Sequence, residues 1–222
     1  MIILEGRARE SVCFLQELCE MESEERWLKL KTMPLSCIVI GASAGGISAI
    51  HDLLENLSGV PRCPLIICLH LHPSQGESLF IDEFFSQQVN FEIKEADEKE
   101  TAEAGKGYIA PPNYHLLVER DGTFSLTVEE KVHFSRPSID VLFQSAADAW
   151  RSQLVGILLT GANEDGAEGL LRIQQYGGIT IAQDPKEAES PQMPESAIKL
   201  NAADQILTIK EISNFINQVA IQ

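Results

Sequence analysis

The chain has 222 residues, of which 44% are apolar, and a formal net charge of −16. This length suits one domain with a short appendage, and the negative charge disfavours nucleic acid and anionic lipid as partners because their phosphates would be repelled. No apolar run approaches the roughly 20 residues that a bilayer-spanning helix needs, and residues 1–10 lack the pattern of a secretory signal. We therefore expect a cytoplasmic protein that does not insert into a membrane.

Residues 1–33 are rich in charge and differ in texture from the rest of the chain. A helix is predicted over about residues 8–31, where Phe14 and Leu18 fall at helical spacing. A Met-Pro pair then ends it, because the residue before proline avoids the helical conformation. We expect this segment to be a helical extension that docks on the body, residues 34–222, or that binds a partner.

Four continuous apolar runs and one shorter, mixed run at 91–96 follow. Continuous rather than alternating apolar residues are typical of strands covered on both faces. Helical patterns lie between these runs. The order of elements predicts an α/β fold with a doubly wound, mostly parallel sheet and helices on both faces. The predicted strands are 37–40, 65–69, 91–96, 154–159 and 179–182, and the predicted helices are about 45–57, 77–88, 138–151, 165–176 and 210–221.

Residues 107–128 break this alternation. Asp121 and Gly122 separate two apolar runs, and Asp-Gly in that setting is a strong signal for a tight hairpin turn. We predict that this region is an antiparallel hairpin excursion inserted into the α/β fold.

The chain has five cysteines, and no two of them have the C-x-x-C spacing. An odd number without that spacing argues against a disulfide framework and against a zinc cage. We expect neither a cofactor nor a bound metal.

The first strand runs directly into G-A-S-A-G-G at residues 41–46, and a helix is predicted to follow. G-x-S-x-G at a strand-to-helix turn lifts a serine oxygen above the sheet, beside free N–H groups that favour a developing oxyanion. The alternative is a phosphate- or dinucleotide-binding loop, which also follows a first strand. However, the spacing is neither G-x-G-x-x-G nor that of a P-loop. Ser43 is therefore the candidate nucleophile.

His70 follows the second predicted strand, at the edge where open parallel sheets bind ligands. Ser43 ends the preceding strand, so the two side chains are expected to be neighbours. An alternative is a metal site on His70 and His72, which alternation along an extended chain would place on one face. A third and a fourth ligand are not obvious, and His70 is the candidate general base.

Asp165 lies in the turn after the apolar run 154–159, just before a predicted helix. One interpretation is that it caps that helix, where aspartate is favoured. The other is that it completes a triad with Ser43 and His70, because all three residues end strands of one sheet. In such a triad the histidine takes the serine proton, and the aspartate orients the imidazole and stabilises the imidazolium. The chain order Ser, His, Asp differs from that of ordinary α/β hydrolases.

At these residues the sequence resembles the catalytic domain of the chemotaxis protein-glutamate methylesterases (CheB), over about residues 35–218. The resemblance implies a doubly wound α/β fold, hydrolysis of glutamyl methyl esters and often deamidation of glutamines on chemoreceptors. It also implies Ser43 as nucleophile, His70 as base and Asp165 as its orienter. The matching stretches are IGASAGG at 40–46, His70, GYIAP at 107–111 with His115, RPSIDVLF at 136–143, LTG at 159–161 with Asp165-Gly166, AQD at 182–184 and MPESAI at 193–198.

The sequence departs from the family pattern beside the predicted site. Ala44 stands where the family usually has threonine, and Ala162 stands where it usually has methionine. With Arg136, which we consider for binding a substrate carboxylate, and Met193, which we consider for the pocket wall, they are candidate substrate-binding residues. The family's receiver domain has no room in residues 1–33, so we expect a stand-alone catalytic domain.

Two hypotheses for function follow. The first is a serine-dependent carboxyl-ester hydrolase that acts on a methylated chemoreceptor-like protein in chemotaxis-type signalling. The alternative is a catalytically weak or inactive signalling module that binds a partner through the same cleft. It is motivated by the alanines at positions 44 and 162.

Overall fold

The structure, a computed structural model, describes residues 35–70 and 81–221. The predicted N-terminal helical extension, residues 1–33, and His72 of the alternative metal site lie outside these residues. In the part of the chain that is described, no helix is long and apolar enough to cross a membrane.

Within residues 35–70 and 81–221, seven strands form one sheet and two form a separate hairpin. The strands are β1 (Cys37–Ala42), β2 (Leu65–Leu69), β3 (Glu92–Glu95), β4 (Lys106–Ile109), β5 (His115–Val118), β6 (Phe124–Thr127), β7 (Leu154–Leu158), β8 (Ile179–Gln183) and β9 (Gln205–Leu207). The large sheet has the order β3-β4-β2-β1-β7-β8-β9, and every neighbouring pair in it is parallel. The prediction of a mostly parallel sheet is confirmed.

Helices connect these strands and cover both faces of the sheet. They are α1 (Gly46–Glu55), α2 (Ile81–Ser86), α3 (Ile139–Trp150), α4 (Ala167–Gln175), α5 (Gln192–Lys199) and α6 (Ile209–Val219). Adjacent residues of β1 show why both faces are covered. Ile38 and Ile40 belong to one buried cluster with α1 and α6, whereas Val39 belongs to a second with α3 and α4. A strand that contributes to two cores must be apolar at every position, as its sequence is.

The antiparallel excursion is shorter than predicted. Residues 106–109 form β4, which pairs in parallel with both β2 and β3 in the main sheet. Among the strands that the structure describes, β5 and β6 alone pair in antiparallel fashion, with Val118 opposite Phe124 across the Asp121-Gly122 turn. Their buried side chains, Leu116, Val118 and Phe124, face the second core cluster, so the hairpin packs as a flap over the α3 side of the sheet.

The segment around Met193 forms a helix that the sequence patterns did not predict. Gln192–Lys199 is helix α5, with Pro191 at its N-cap and Pro194 within the first turn. Proline is tolerated there because the first-turn N–H groups of a helix have no intrahelical partner. Met193 is consequently on a packed helix.

Candidate active site

Ser43 occupies a sharp turn between β1 and α1. The backbone N–H of Ser43 donates to the carbonyl of Thr160 at 2.9 Å, and the Thr160 hydroxyl donates to the carbonyl of Ala44 at 2.9 Å. Gly45, at the N-cap of α1, has φ 76°, which a residue with a Cβ adopts only at a cost. The end of β7 thus holds the turn that carries the serine.

His70 leaves β2 directly beside this turn. The backbone N–H of His70 donates to the carbonyl of Ala42 at 3.1 Å, so the backbone of His70 is anchored to the neighbouring strand. Nδ1 lies 3.2 Å from Ser43 Oγ and Nε2 lies 2.8 Å from Asp165 Oδ2. Because Nε2–H donates to the carboxylate, the lone pair of Nδ1 faces the serine hydroxyl.

Asp165 is fully buried, and four donors surround its carboxylate. Oδ2 accepts from His70 Nε2 and from the backbone N–H of Ile139 at 2.8 Å each. Oδ1 accepts from the hydroxyl of Ser138 at 2.9 Å and from the N–H of Asp140 at 3.0 Å. Of the two interpretations of Asp165, the one in which it caps its own helix is wrong, because that helix has no side-chain cap. The carboxylate lies instead at the N-terminus of α3, where it accepts from amides that lack intrahelical partners.

These contacts decide the charge of Asp165. Burial by itself would raise the pKa of the carboxyl, but the hydrogen bond and charge of His70 and the amides of Ile139 and Asp140 lower it below the usual value. A hydrogen-bonded charge at a helix N-terminus is stabilised in its ionised form. Asp165 is thus held as an anion that orients His70.

Close approach of α3 to the sheet makes this arrangement possible. A Cβ on Gly41 or on Gly166 would collide with the side chain of Ile139 in the first turn of α3. Gly166 also has φ 95°, which an L side chain rarely adopts. The two glycines therefore let the α3 amides reach Asp165.

A second histidine–aspartate pair lies behind Asp165. Asp140 Oδ1 accepts from the N–H of Gly169 at 2.7 Å, and Asp140 Oδ2 lies 3.4 Å from Nε2 of His133. Burial, followed by the negative charge of Asp165, raises the pKa of Asp140 to about 7, although the Gly169 amide and His133 oppose the shift. The pKa values of the two aspartates are thus shifted in opposite directions.

His115 braces the opposite side of the same helix terminus. Its ring is buried, Nδ1 accepts from the N–H of Ser138 at 3.2 Å, and Nε2 donates to the carbonyl of Glu130 at 3.1 Å. Ser138 is the N-cap of α3, and its hydroxyl accepts from the N–H of Val141 while donating to Asp165. His115 and Ser138, which belong to stretches that resemble the family, therefore hold the N-terminus of α3 against Asp165.

An open cavity of about 1280 Å³ lies above the triad. Ser43, His70 and Ser135 line it, together with the apolar side chains of Phe84 and Phe134. Phe134 is 95% exposed, unusually high for a large apolar side chain. The triad is thus accessible from solvent through a mouth with aromatic side chains.

The four other predicted site residues have different positions. Ala44 lines the cavity. Arg136 also lines it, but its NH1 group donates to the carbonyls of Val128 and Glu129 and so braces the preceding loop. Ala162 is exposed and is not among the lining residues, where its neighbour Asn163 is found.

Met193 is fully buried and does not line the cavity. A Cβ on Gly161 would collide with its side chain, so Met193 packs beneath the turn that follows β7. Its position supports that turn and gives it no contact with a substrate in the cavity.

Two groups in the described residues bring together atoms of the kind that bind metals. They are His133 with Asp140 and Asp165, and His51 with Asp52 and Glu55. In the first group both oxygens of Asp165 and one of Asp140 already accept hydrogen bonds. These contacts leave few lone pairs for an ion, and the second group lies on the surface of α1.

Sequence reasoning missed several of these residues. Ser138 and Asp140 lie inside the stretch RPSIDVLF, but only the hydrogen bonds to Asp165 and Gly169 reveal their roles. Ser135, whose hydroxyl lies 3.3 Å from His70 Nδ1, immediately precedes that stretch. The match of RPSIDVLF to the family pattern was the one signal in the sequence that could have directed attention there.

A parallel α/β sheet with serine, histidine and aspartate in hydrogen-bond series at the carboxyl ends of its strands is characteristic of serine-dependent hydrolases. The sequence model of the CheB methylesterase family matches residues 38–216. This chain belongs to the CheB methylesterase family.

Individual relatives agree with this assignment. A provisionally named protein-glutamate methylesterase/protein-glutamine glutaminase of Leptospira interrogans is 47% identical over 82% of this chain and 93% of its own length. The protein-glutamate methylesterase/protein-glutamine glutaminase of Symbiobacterium thermophilum is 32% identical over 84% of this chain, which spans only 51% of that relative. The crystal structure of the Thermotoga maritima CheB methylesterase catalytic domain is similar with a TM-score of 0.78 and 29% identity, over 84% of this chain and all of that one.

Proposed function

We propose that this chain is a protein-glutamate methylesterase that hydrolyses glutamyl methyl esters on a chemoreceptor-like protein, with Ser43 as nucleophile. The observation that carries the proposal is the continuous series of hydrogen-bonding contacts from Ser43 through His70 to Asp165, open to solvent at Ser43 and buried at Asp165. The names of the relatives supply the substrate class.

Acylation begins at the serine oxygen. Ser43 Oγ attacks the ester carbonyl carbon while its proton passes to His70 Nδ1, and the carbonyl oxygen becomes an oxyanion. When the tetrahedral intermediate collapses, the C–O bond to methanol breaks and Nδ1–H protonates the leaving oxygen. Asp165 remains ionised throughout and stabilises the imidazolium through Nε2–H.

Deacylation repeats these steps with water in place of serine. The water gives one proton to Nδ1 as it attacks the acyl carbon, and the serine oxygen leaves with that proton. The products are a free glutamate side chain and regenerated Ser43. The same sequence on a glutamine side chain releases ammonia, which accounts for deamidation as a second activity in the relatives' names.

The turn that carries Ser43 also supplies the group that stabilises the oxyanion. Ala44 lines the cavity just before α1, and its N–H has no hydrogen-bond partner in residues 35–70 and 81–221. A backbone N–H at a helix N-terminus favours negative charge. A backbone donor is unaffected by the replacement of threonine by alanine at this position, so the substitution leaves oxyanion stabilisation intact.

The cavity suits an acidic protein substrate. Among its lining residues, Lys131 and Arg136 are cationic and Glu189 is anionic, whereas the whole chain has a net charge of −16. Such a local reversal of sign attracts acidic segments to the mouth and repels them elsewhere on the surface.

Methanol release from a methyl-labelled chemoreceptor fragment tests the proposal. We expect the wild-type protein to release labelled methanol and Ser43→Ala to release it at least about 10³-fold more slowly, because the nucleophile is missing. Ser196→Ala is the matched control, since that exposed hydroxyl only donates to Gln192 within α5, and it should retain full activity.

Two outcomes would contradict the proposal. One is a wild-type protein that binds the methylated fragment and releases no methanol, which would favour the alternative of a binding module. The other is equal activity in the wild type and in Ser43→Ala.

A further inference from the structure

The ring nitrogen that faces Ser43 has a second hydroxyl beside it. Ser135 Oγ lies 3.3 Å from His70 Nδ1, compared with 3.2 Å for Ser43 Oγ. Both serines line the cavity. The triad as described uses one of these hydroxyls and leaves the other without a role.

The conformation of the loop before α3 places Ser135 beside His70. Val132 and Ser135 exchange two backbone hydrogen bonds, at 2.8 and 3.2 Å. The two residues between them, His133 and Phe134, have φ 47° and 63°, a left-handed conformation that costs free energy in residues other than glycine. Arg136 then clamps the loop to the end of β6 through two carbonyls. The left-handed residues and the hydrogen bonds of this loop together fix the position of Ser135.

The geometry gives the Ser135 hydroxyl two orientations. Neutral Nδ1 has one lone pair, so one hydroxyl at a time can donate a strong hydrogen bond to it. Ser135 Oγ also lies 3.4 Å from the carbonyl of His133. When its hydrogen points to that carbonyl, its own lone pairs face Nδ1, and the lone pair of Nδ1 is left to Ser43.

We propose that Ser135 is a further catalytic residue that accepts a hydrogen bond from Nδ1–H once Ser43 has transferred its proton to His70. Its own hydrogen is then donated to the His133 carbonyl, and no covalent bond to Ser135 forms or breaks. The imidazolium is stabilised on both sides, by Asp165 at Nε2 and by Ser135 at Nδ1, in acylation and in deacylation. This inference rests on the proposed function for the direction of proton transfer.

The helix that follows Ser135 offers it no free amide in its first two positions for an oxyanion. An oxyanion formed there would need nearby amide donors, and the nearest helix N-terminus along the chain is that of α3. The first two amides of α3, those of Ile139 and Asp140, already donate to Asp165. The role that remains for Ser135 is to accept a hydrogen bond.

The magnitude follows from the charge of the donor. A hydrogen bond with an ionised donor is about twice as strong as a neutral one, so Ser135 favours protonated over neutral His70. Its loss should slow proton transfer from Ser43 by about tenfold. Among residues 35–70 and 81–221, the charged or titratable side chains that face His70 or the same cavity are Asp165, His51, Lys131, Arg136 and Glu189. Asp140 and His133 lie on the far side of Asp165 from His70.

The rate at which a fluorophosphonate probe labels Ser43 tests this role without a receptor substrate. Ser135→Val should label about tenfold more slowly than the wild type, and the acid limb of its pH–rate profile should move to lower pH. Ser135→Thr, which has nearly the same shape and keeps the hydroxyl, should restore both quantities. Ser196→Ala should match the wild type. Equal rates and equal acid limbs for Ser135→Val and Ser135→Thr would overturn the proposal.

A titration of the His70 ring by nitrogen NMR makes the test independent of catalysis. In a Ser43→Ala background, the ring should take up its proton at lower pH with Ser135→Val than with Ser135→Thr. The same pH in both variants would overturn the proposal. If the wild type is labelled by the probe but releases no methanol from the receptor, the proposed function fails while the comparison of Ser135 variants still decides this inference.

Discussion

The buried half of the site and its open half are organised in opposite ways. In the buried half, each carboxylate oxygen of Asp165 accepts two hydrogen bonds, from donors on two elements that are distant in sequence. In the open half, one nitrogen of His70 faces two hydroxyls, and the cavity mouth has an exposed aromatic side chain. The buried half thus keeps Asp165 ionised, while the hydroxyls in the open half can change their hydrogen bonds to His70 during the reaction.

This difference explains how one site combines rigidity with turnover. A fully satisfied buried network leaves little freedom, because any rearrangement would expose an unpaired polar group to a low-dielectric interior. A hydroxyl near solvent can rotate at little cost. Substitutions in the buried half should therefore lower kcat or stability, whereas a substitution at the open mouth should change KM.

The largest effect is expected from Asp165→Asn on the buried side. An amide at this position cannot accept from all four donors. Its NH₂ group replaces either Oδ1, where it faces Ser138 and the N–H of Asp140, or Oδ2, where it faces His70 Nε2 and the N–H of Ile139. In the second case the imidazole switches tautomer and Nδ1 loses the lone pair that takes the serine proton. We expect kcat to fall by about 10⁴-fold, as in other triads with this change.

Methanol release by the variant measures this loss. Asp148→Asn on the exposed surface of α3, where Asp148 contacts Arg172, is the control and should keep full activity. Retention of more than a tenth of wild-type activity by Asp165→Asn would show that the buried half does not govern the state of His70.

A smaller, pH-dependent effect on stability is expected from Asp140→Asn. The pKa of Asp140 is raised to about 7 in the folded state, chiefly by burial. Its contribution to stability is fully present below the ordinary aspartate range and is lost as pH rises through about 7, by at most about 1.4 kcal/mol per pH unit. Asparagine does not titrate, so the stability of the wild type relative to Asp140→Asn should fall from pH 5 to pH 8.

Urea unfolding at several pH values checks this sign. The lowered pKa of Asp165 acts in the opposite direction, since the stability that it provides is lost only as pH falls below the ordinary aspartate range. The contributions of Asp140 and Asp165 to stability therefore change over different ranges of pH. The assignment would be contradicted if the free energy of unfolding of the wild type, relative to that of Asp140→Asn, stayed constant or rose from pH 5 to pH 8. Asp148→Asn is the control, and its free energy of unfolding should differ from that of the wild type by a constant amount over this range.

The smallest effect is expected from Phe134→Ser at the open mouth. Phe134 is 95% exposed on the loop that carries Ser135, and an exposed aromatic residue gains by burial against a protein substrate. We expect KM for the methylated receptor fragment to rise severalfold, while the rate of fluorophosphonate labelling is unchanged.

Val128→Ser is the matched control for this contact. Val128 is 64% exposed just before the same loop but does not line the cavity, and its substitution should leave KM unchanged. If both variants change KM equally, the effect is a general property of the loop and Phe134 has no specific contact with the substrate.

The predictable part of the fold is the part that local patterns specify. Continuous apolar runs predicted the strands at 37–40, 65–69, 154–159 and 179–182, and the structure has strands in all four places. Strand β9 was missed because Gln205–Leu207 is short, lies at the sheet edge and is nowhere buried. The helix at Gln192–Lys199 was missed because two prolines three positions apart, Pro191 and Pro194, indicate a loop unless the second lies in the first turn of a helix.

By itself, the sequence determined the alternation of buried strands and helices and the three side chains at the strand ends, because apolar periodicity and turn residues act over a few neighbouring positions. Only the tertiary structure decided that Asp165 would meet the amides of α3, that Asp140 would lie behind it, and that Ser135 would share a nitrogen with Ser43. Those contacts join residues that are 25 to 65 positions apart in the chain, so they depend on how helices pack on the sheet. No local pattern encodes such packing.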